Sequence, residues 1–172
     1  MLIVQFTLRK FREDDFSTLL HIDQSCFAPG ISYTSQELKS YISRRGSFTL
    51  IAEKSANAES TRSADRKSLG RKIVGFIVTE QSRGVGHIIT IDVVQEARRH
   101  RIGSALLNAA EGELRERLCS LVRLETAVDN IAALTFYKRH GYHVVRTIPR
   151  YYSNGVDALL LEKDLQIPHA NR

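Results

Sequence analysis

The stretch Ile91–Leu114, IDVVQEARRHRIGSALLNAAEGEL, decides how the chain is read. It opens on the end of an apolar strand, HIITIDVV from His87 to Val94, and turns through Arg98, Arg99, His100 and Arg101. Beyond Ile102, Gly103 and Ser104, apolar residues recur at Leu106, Leu107, Ala110, Leu114 and Leu118, a spacing that predicts a helix from Ser104 to about Leu118. The first amides of such a helix lack internal partners, and the positive end of its dipole lies behind them. An anion held there gains several backbone hydrogen bonds, and arginines add charge. The chemistry needs a small residue at Gly103, where a ligand or strand comes close. Glycine at position 101 is dispensable if the Arg101 side chain points to solvent. By itself the stretch reads equally as a phosphate cradle and as a solvated, basic helix start.

Outward from it, the pattern predicts alternating elements. Strands are expected at Ile3 to Leu8, Phe48 to Glu53, Lys72 to Gln81, Leu121 to Val128, Tyr142 to Ile148 and Ala158 to Glu162. A helix opens at Glu13-Asp14-Asp15 and runs through Leu19, Leu20, Ile22 and Cys26. A second helix follows Thr34-Ser-Gln-Glu37, a capping box, and a third spans Asn130 to His140. The order β-α-α-β-β-β-α-β-α-β-β implies an α/β fold, a mixed α+β sheet with helices on its faces and antiparallel hairpins in the first half. Residues 1–165 read as one domain and 166–172 as a tail. The segment at 54–72, KSANAESTRSADRKSLGRK, is expected to be a mobile insertion, since it offers little apolar surface against the entropy of ordering.

The 172 residues carry a net charge of +6, which favours an anionic partner: nucleic acid, a phosphorylated cofactor or an acidic protein surface. Aromatic residues are not interleaved with the basic ones as base stacking requires, and no zinc-finger spacing occurs. Cys26 and Cys119 match no metal or redox spacing, and the six histidines are scattered, so no metal is expected. Two isolated cysteines, expected to be buried thiols, and the absence of a long apolar run point to a cytoplasmic setting without a membrane. His87, Cys26 and Cys119 are read as structural or surface residues.

Two segments together carry a family resemblance. VVQEARRHRIGSALL followed by LETAVDNIAALTFYKRHGY resembles the GCN5-related N-acetyltransferases, and the likeness runs from the first strand to Leu161. Their pyrophosphate loop, Arg/Gln-x-x-Gly-x-Gly/Ala, falls on Arg98 to Gly103, with Arg101 where the middle glycine is usual. The resemblance implies a three-layer fold with about seven central strands, and acetyl-CoA as cofactor. The backbone of Ile91, Asp92 and Val93 would hold the pantetheine and the acetyl carbonyl. Arg98, Arg99, His100, Arg101, Ile102, Gly103 and Ser104 would hold the pyrophosphate. Asn130, which can cap its helix by itself, would also meet the pantetheine. Tyr137 would give a proton, or a hydrogen bond in its place, to the departing thiolate.

Glu125 lies in a strand with interior character, where a carboxylate costs desolvation unless something uses it. It forms either a cross-strand ion pair or part of a site. In the branch that acetylates protein N-termini, including ribosomal-protein alanine acetyltransferases, a glutamate stands at this separation from the tyrosine and removes the amine proton. Asp92 is the alternative base. CFAPGISYTSQEL and IPRYYSNGVDALLLEKDL also resemble that branch, implying that Phe27, Pro29, Tyr33, Tyr151 and Tyr152 bind peptide. Asn154-Gly155 would make the turn between the last strands. The implied function is acetyl transfer to a protein N-terminal amine, with a ribosomal protein among candidate targets and the enzyme a monomer or weak dimer. Nucleic acid is not required. A small-amine acetyltransferase and a non-catalytic CoA-binding module remain the alternatives.

Overall fold

The computed structural model describes residues 5–54 and 71–166. Most of the expected insertion at 54–72, nearly all of the tail at 166–172 and the start of the expected first strand lie outside these residues. Seven strands are joined in the order β1-β2-β3-β4-β5-β7-β6. They are β1 (Phe6–Lys10), β2 (Ser47–Lys54), β3 (Lys72–Ser82), β4 (Val85–Val93), β5 (Leu121–Ala127), β6 (His143–Ile148) and β7 (Ala158–Asp164). Four helices accompany them: α1 (Phe16–Cys26), α2 (Ser35–Ser43), α3 (Ile102–Glu116) and α4 (Ile131–Arg139). Every neighbouring pair is antiparallel except β4 and β5, which run parallel. Among the described residues no helix is long and apolar enough to cross a membrane.

The sheet separates two cores. On one face, Leu19 and Ile22 of α1 and Leu38 of α2 pack on Ile51, Phe76 and Val78. On the other, α3 buries Leu106, Leu107, Ala110 and Leu114, and α4 contributes Tyr137. The resulting three layers are those expected for an α/β chain with helices on both faces.

Several boundaries depart from the expectations. Glu13–Asp15 forms a short 3-10 turn ahead of α1, because Asp15 turns back to accept the Arg12 amide at 2.7 Å and the Arg9 guanidinium at 2.7 and 2.8 Å. Leu118, expected on the buried stripe of α3, is instead exposed with φ 61. The helix ends in a Schellman motif, in which Cys119 N–H donates to Leu114 O and Leu118 N–H to Arg115 O, each at 2.9 Å. Leu118 occupies the left-handed position that glycine usually fills, so apolar periodicity ran one turn past the helix.

A buried ion pair ties α3 to the far half of the sheet. Lys163 Nζ of β7 donates to both Glu111 carboxylate oxygens at 2.8 and 2.6 Å, and Tyr142 OH donates to the same carboxylate at 3.0 Å. Both charged side chains are almost fully buried. Removing one partner of such a pair leaves an uncompensated buried charge. Glu111→Gln is therefore expected to lose about 3–5 kcal/mol of unfolding free energy in denaturant titration, whereas the double change Glu111→Leu/Lys163→Met recovers most of it.

Candidate active site

β4 and β5 pair over only three residues, Val85 with Leu121, Gly86 with Val122 and His87 with Arg123. The register of β4 against β3 then slips: Ile88 faces Thr79 and Thr90 faces Val78, leaving Ile89 as a bulge. A bulge bends its strand and increases its twist, and from this point the parallel strands part. The gap is the mouth of a cavity of about 730 Å³. Its β4 wall is an open edge: Ile89 O accepts Tyr33 OH at 3.1 Å, and Val93 O accepts Arg98 Nε at 3.0 Å and the Cys26 thiol at 3.6 Å. Register is regular from Val93 to Thr90, so Ile91 presents its N–H and C=O to the same edge as Val93.

The basic end of the cavity is built by the start of α3. Ala105 N–H makes the first helical bond, to Arg101 O at 3.0 Å. The amides of Ile102, Gly103 and Ser104, all lining the cavity, are thus without helical acceptors. α2 and α4 are capped by Thr34 and by Asn130, whose Oδ1 accepts Ala133 N–H at 3.1 Å, but α3 has no side-chain cap and no acid in its first turn. Arg101 occupies the N-cap with φ 62, and Arg99 has φ 64. Position 101 therefore favours glycine for a backbone reason, contrary to the expectation that only side-chain direction mattered. A Cβ on Gly103 would meet Phe136 at 3.5 Å, an ordinary contact, so its protein neighbours do not demand glycine there. Arg98, Arg99 and Arg101 line the cavity; His100 does not, and its Nδ1 lies 2.9 Å from Arg98 O.

At the centre, His87 Nε2 donates to Glu125 Oε2 at 2.6 Å. Burial pushes the Glu125 carboxyl up, but the hydrogen bond and charge of His87, with Arg123, outweigh it and hold the group below its ordinary range. Glu125 is thus both in a cross-strand pair and on the cavity wall. Asp92 is almost fully buried, and burial followed by the charge of Asp23 pushes its carboxyl well up. Asp92 Oδ2 accepts the Thr90 hydroxyl at 3.0 Å, while Asp92 Oδ1 and Asp23 Oδ1 have no hydrogen-bond partner among the described residues. Burial likewise pushes Asp23 up to about 6, against the Tyr33 N–H that donates to its Oδ2 at 2.7 Å. Of the two candidate bases, only Glu125 is held ionised. Tyr137 lines the cavity, and burial, with the charges of Asp92 and Tyr152, raises its phenol above the usual value.

The open end is walled by aromatics from two loops. Phe27, Tyr33, Tyr151 and Tyr152 all line it, and Pro29 does not. Tyr33 packs edge-on against Tyr41 at 5.3 Å, and Tyr151 against Tyr152 at 5.0 Å. Burial and the nearby Glu125 push the Tyr151 phenol up to about 12. Ser153 Oγ donates to Gly30 O at 3.0 Å, joining the loops. Gly30 has φ 86, and a Cβ there would lie 2.9 Å from Asn154 Cβ. Asn154-Gly155 does turn, with Gly155 at φ 83.

Sequence reasoning missed His87, Cys26, Tyr41 and Phe136, all of which line the cavity. Cys26 is half-buried rather than fully buried as expected. His87, read from the sequence as structural or surface, lines the cavity because the parallel pairing of β4 with β5 brings it to Glu125, 38 residues away. Arg101→Gly is expected to raise the denaturation midpoint, by about 1 kcal/mol in stability, by removing a left-handed side chain. The same change is expected to flatten the salt dependence of binding to a phosphorylated ligand.

The profile of the acetyltransferase (GNAT) family matches residues 17–142. The chain is 39% identical over 93 residues to an uncharacterized N-acetyltransferase of Methanocaldococcus jannaschii, covering 54% of this chain and spanning 60% of that protein's length. It is 25% identical over 175 residues to an N-alpha-acetyltransferase of Saccharolobus solfataricus, covering 93% of each. Ard1 from Thermoplasma volcanium superposes with a TM-score of 0.76 at 26% identity, over 92% of this chain and 97% of that one. With fold, cavity and sequence in agreement, the chain belongs to the acetyltransferase (GNAT) family.

Proposed function

We propose that the protein is an acetyl-CoA-dependent N-acetyltransferase whose acceptor is the α-amine of a protein or peptide N-terminus. The observation that carries this reading is the ionised Glu125, held by His87 at the meeting point of a basic cradle and an aromatic, two-loop mouth. The N-alpha-acetyltransferase names of several relatives support the acceptor class. Small amines would need less wall than Phe27, Tyr33, Tyr151 and Tyr152 provide. The reading requires neither nucleic acid nor a membrane.

GNAT acetyltransferases use acetyl-CoA, which supplies the acetyl group as a thioester. The residues present fit it: uncapped amides at Ile102 to Ser104 and the side chains of Arg98, Arg99 and Arg101 suit a pyrophosphate, and the free edge of β4 at Ile91 suits the amides of a pantetheine arm. An α-amine has an ordinary pKa near 7.7–8.0, so a share is neutral at physiological pH. Its N–H becomes strongly acidic as nitrogen bonds to the acetyl carbon. Glu125, although a weak base, takes that proton as the N–C bond forms, and His87 fixes the carboxylate. Tyr137, on the cavity wall, would donate a hydrogen bond to the sulfur of the thioester as its C–S bond breaks. A phenol holds its proton more tightly than a thiol, so Tyr137 would supply a hydrogen bond rather than a full proton.

Glu125→Gln is expected to lower kcat/KM for a peptide by about a hundredfold or more across pH, with acetyl-CoA affinity preserved. Unchanged turnover over the pH range would remove Glu125 from the mechanism. In a panel of free-N-terminus peptides, N-blocked lysine peptides and small amines, acetylation is expected on the first group. Reaction at lysine side chains or small amines instead would refute the acceptor class.

A further inference from the structure

His140 closes α4 beside the first turn of α3 and does not line the cavity, whereas its partner Ser104 does. The imidazole is fixed from both sides. Nδ1 lies 2.8 Å from Phe136 O and Nε2 lies 3.1 Å from Ser104 Oγ, with the ring 4.4 Å from that of Phe136. A backbone carbonyl only accepts, so Nδ1 carries a hydrogen. In the neutral ring Nε2 then has none, and Ser104 must donate its single hydroxyl hydrogen to it. In that state the hydroxyl offers the cavity only lone pairs, which repel an anion at the third residue of α3. Protonation reverses the bond. Nε2–H donates to Ser104 Oγ, the hydroxyl hydrogen is released toward the cavity, and a positive charge stands behind the helix start.

We propose that His140 is a pH-responsive positioning residue for the pyrophosphate of acetyl-CoA, acting by setting the direction of the Ser104 hydroxyl. The proposal rests on the reading of the α3 start as the pyrophosphate cradle. The charged groups beside this junction are cationic, Arg98, Arg99 and Arg101 ahead of α3, and Lys138 and Arg139 in the last turn of α4, with His143 at the start of β6; the carboxylates of α3, Glu111, Glu113 and Glu116, begin two turns beyond Ser104, and Asp129 stands ahead of the far end of α4. Neither the first turn of α3 nor α4 carries a carboxylate. The bound phosphate is thus the counter-charge for the imidazolium. Protonation and cofactor binding then favour each other reciprocally, and affinity rises as pH falls through the range in which histidine gains charge.

The test measures calorimetric binding of acetyl-dephospho-CoA, which lacks the 3′-phosphate and its own titration near pH 6. An opposite charge within about 4–6 Å is worth roughly a factor of ten or more in protonation equilibrium. The wild type is therefore expected to bind about tenfold more tightly at pH about 5.5 than at about 8. His140→Gln, whose amide can still bond Ser104 but does not titrate, is expected to lose that difference, and Ser104→Ala to lose much of it. Nitrogen-15 spectra of the imidazole at about pH 7 should show Nε2 gaining a proton when the cofactor analogue is added. A His140→Gln protein that keeps the wild-type pH dependence overturns the role of His140 while leaving the cradle intact. Wild-type affinity for S-acetylpantetheine, which has no pyrophosphate, overturns the cradle itself.

Discussion

The parting of β4 from β5 is the constraint on which the remaining structure depends. Two parallel strands that pair for three residues and then separate leave one edge of β4 unpaired in the middle of a sheet. Unpaired backbone polar groups in a protein interior need partners, and the chain meets that need in two ways. Tyr33, Arg98 and Cys26 reach across to the carbonyls of Ile89 and Val93. Ile91, between them, faces the cavity, where a bound molecule can extend the sheet. The bulge at Ile89 places the parting immediately after His87, so the last paired residue of β4 carries the side chain that grips Glu125.

A split sheet needs something to hold its halves in fixed relation. α3 packs on β2, β3 and β4, and its Glu111 reaches Lys163 of β7 beyond the gap. Tyr142, bonded to the same carboxylate, sets its ring edge-on to Tyr137 at 5.4 Å. The buried ion pair thus connects the helix that forms the basic cradle with the tyrosine on the opposite wall. Its polar groups are mutually satisfied, as a buried network must be to favour one geometry.

Charge is distributed along the cavity in a way that separates roles. The arginines and the uncapped start of α3 form a basic end. The β4 wall holds Asp92, with Asp23 of α1 behind it outside the cavity lining, both carboxyls that burial disfavours as ions. The centre holds Glu125, which His87 keeps ionised. Environments that push similar carboxyls apart assign them different chemistry. Here they leave Glu125 as the ionised carboxylate of the cavity wall, while Asp23 of α1 and Asp92 of β4 are each held by one hydrogen bond, from the Tyr33 amide and the Thr90 hydroxyl. Through the Tyr33 amide, Asp23 ties α1 to the aromatic mouth.

What the sequence determined is what short-range physics determines. Apolar periodicity, the Thr34–Glu37 capping box, the Asn130 cap and the Asn154-Gly155 turn each depend on residues a few positions apart, and the element order read from them matches the structure. The basic turn, Glu125 and the Tyr151–Tyr152 pair were legible because chemistry-bearing residues stood where local structure gave them no other use. Strand register and the bulge at Ile89 were not legible, since they answer to contacts far along the chain, and the positive φ at Arg99, Arg101 and Leu118 falls on residues that carry no glycine signal. Long-range contacts also set the His87–Glu125, Glu111–Lys163 and Ser104–His140 pairs, each assembled from separate elements. Tertiary structure decided these because burial and pairing depend on distances that sequence separation does not encode.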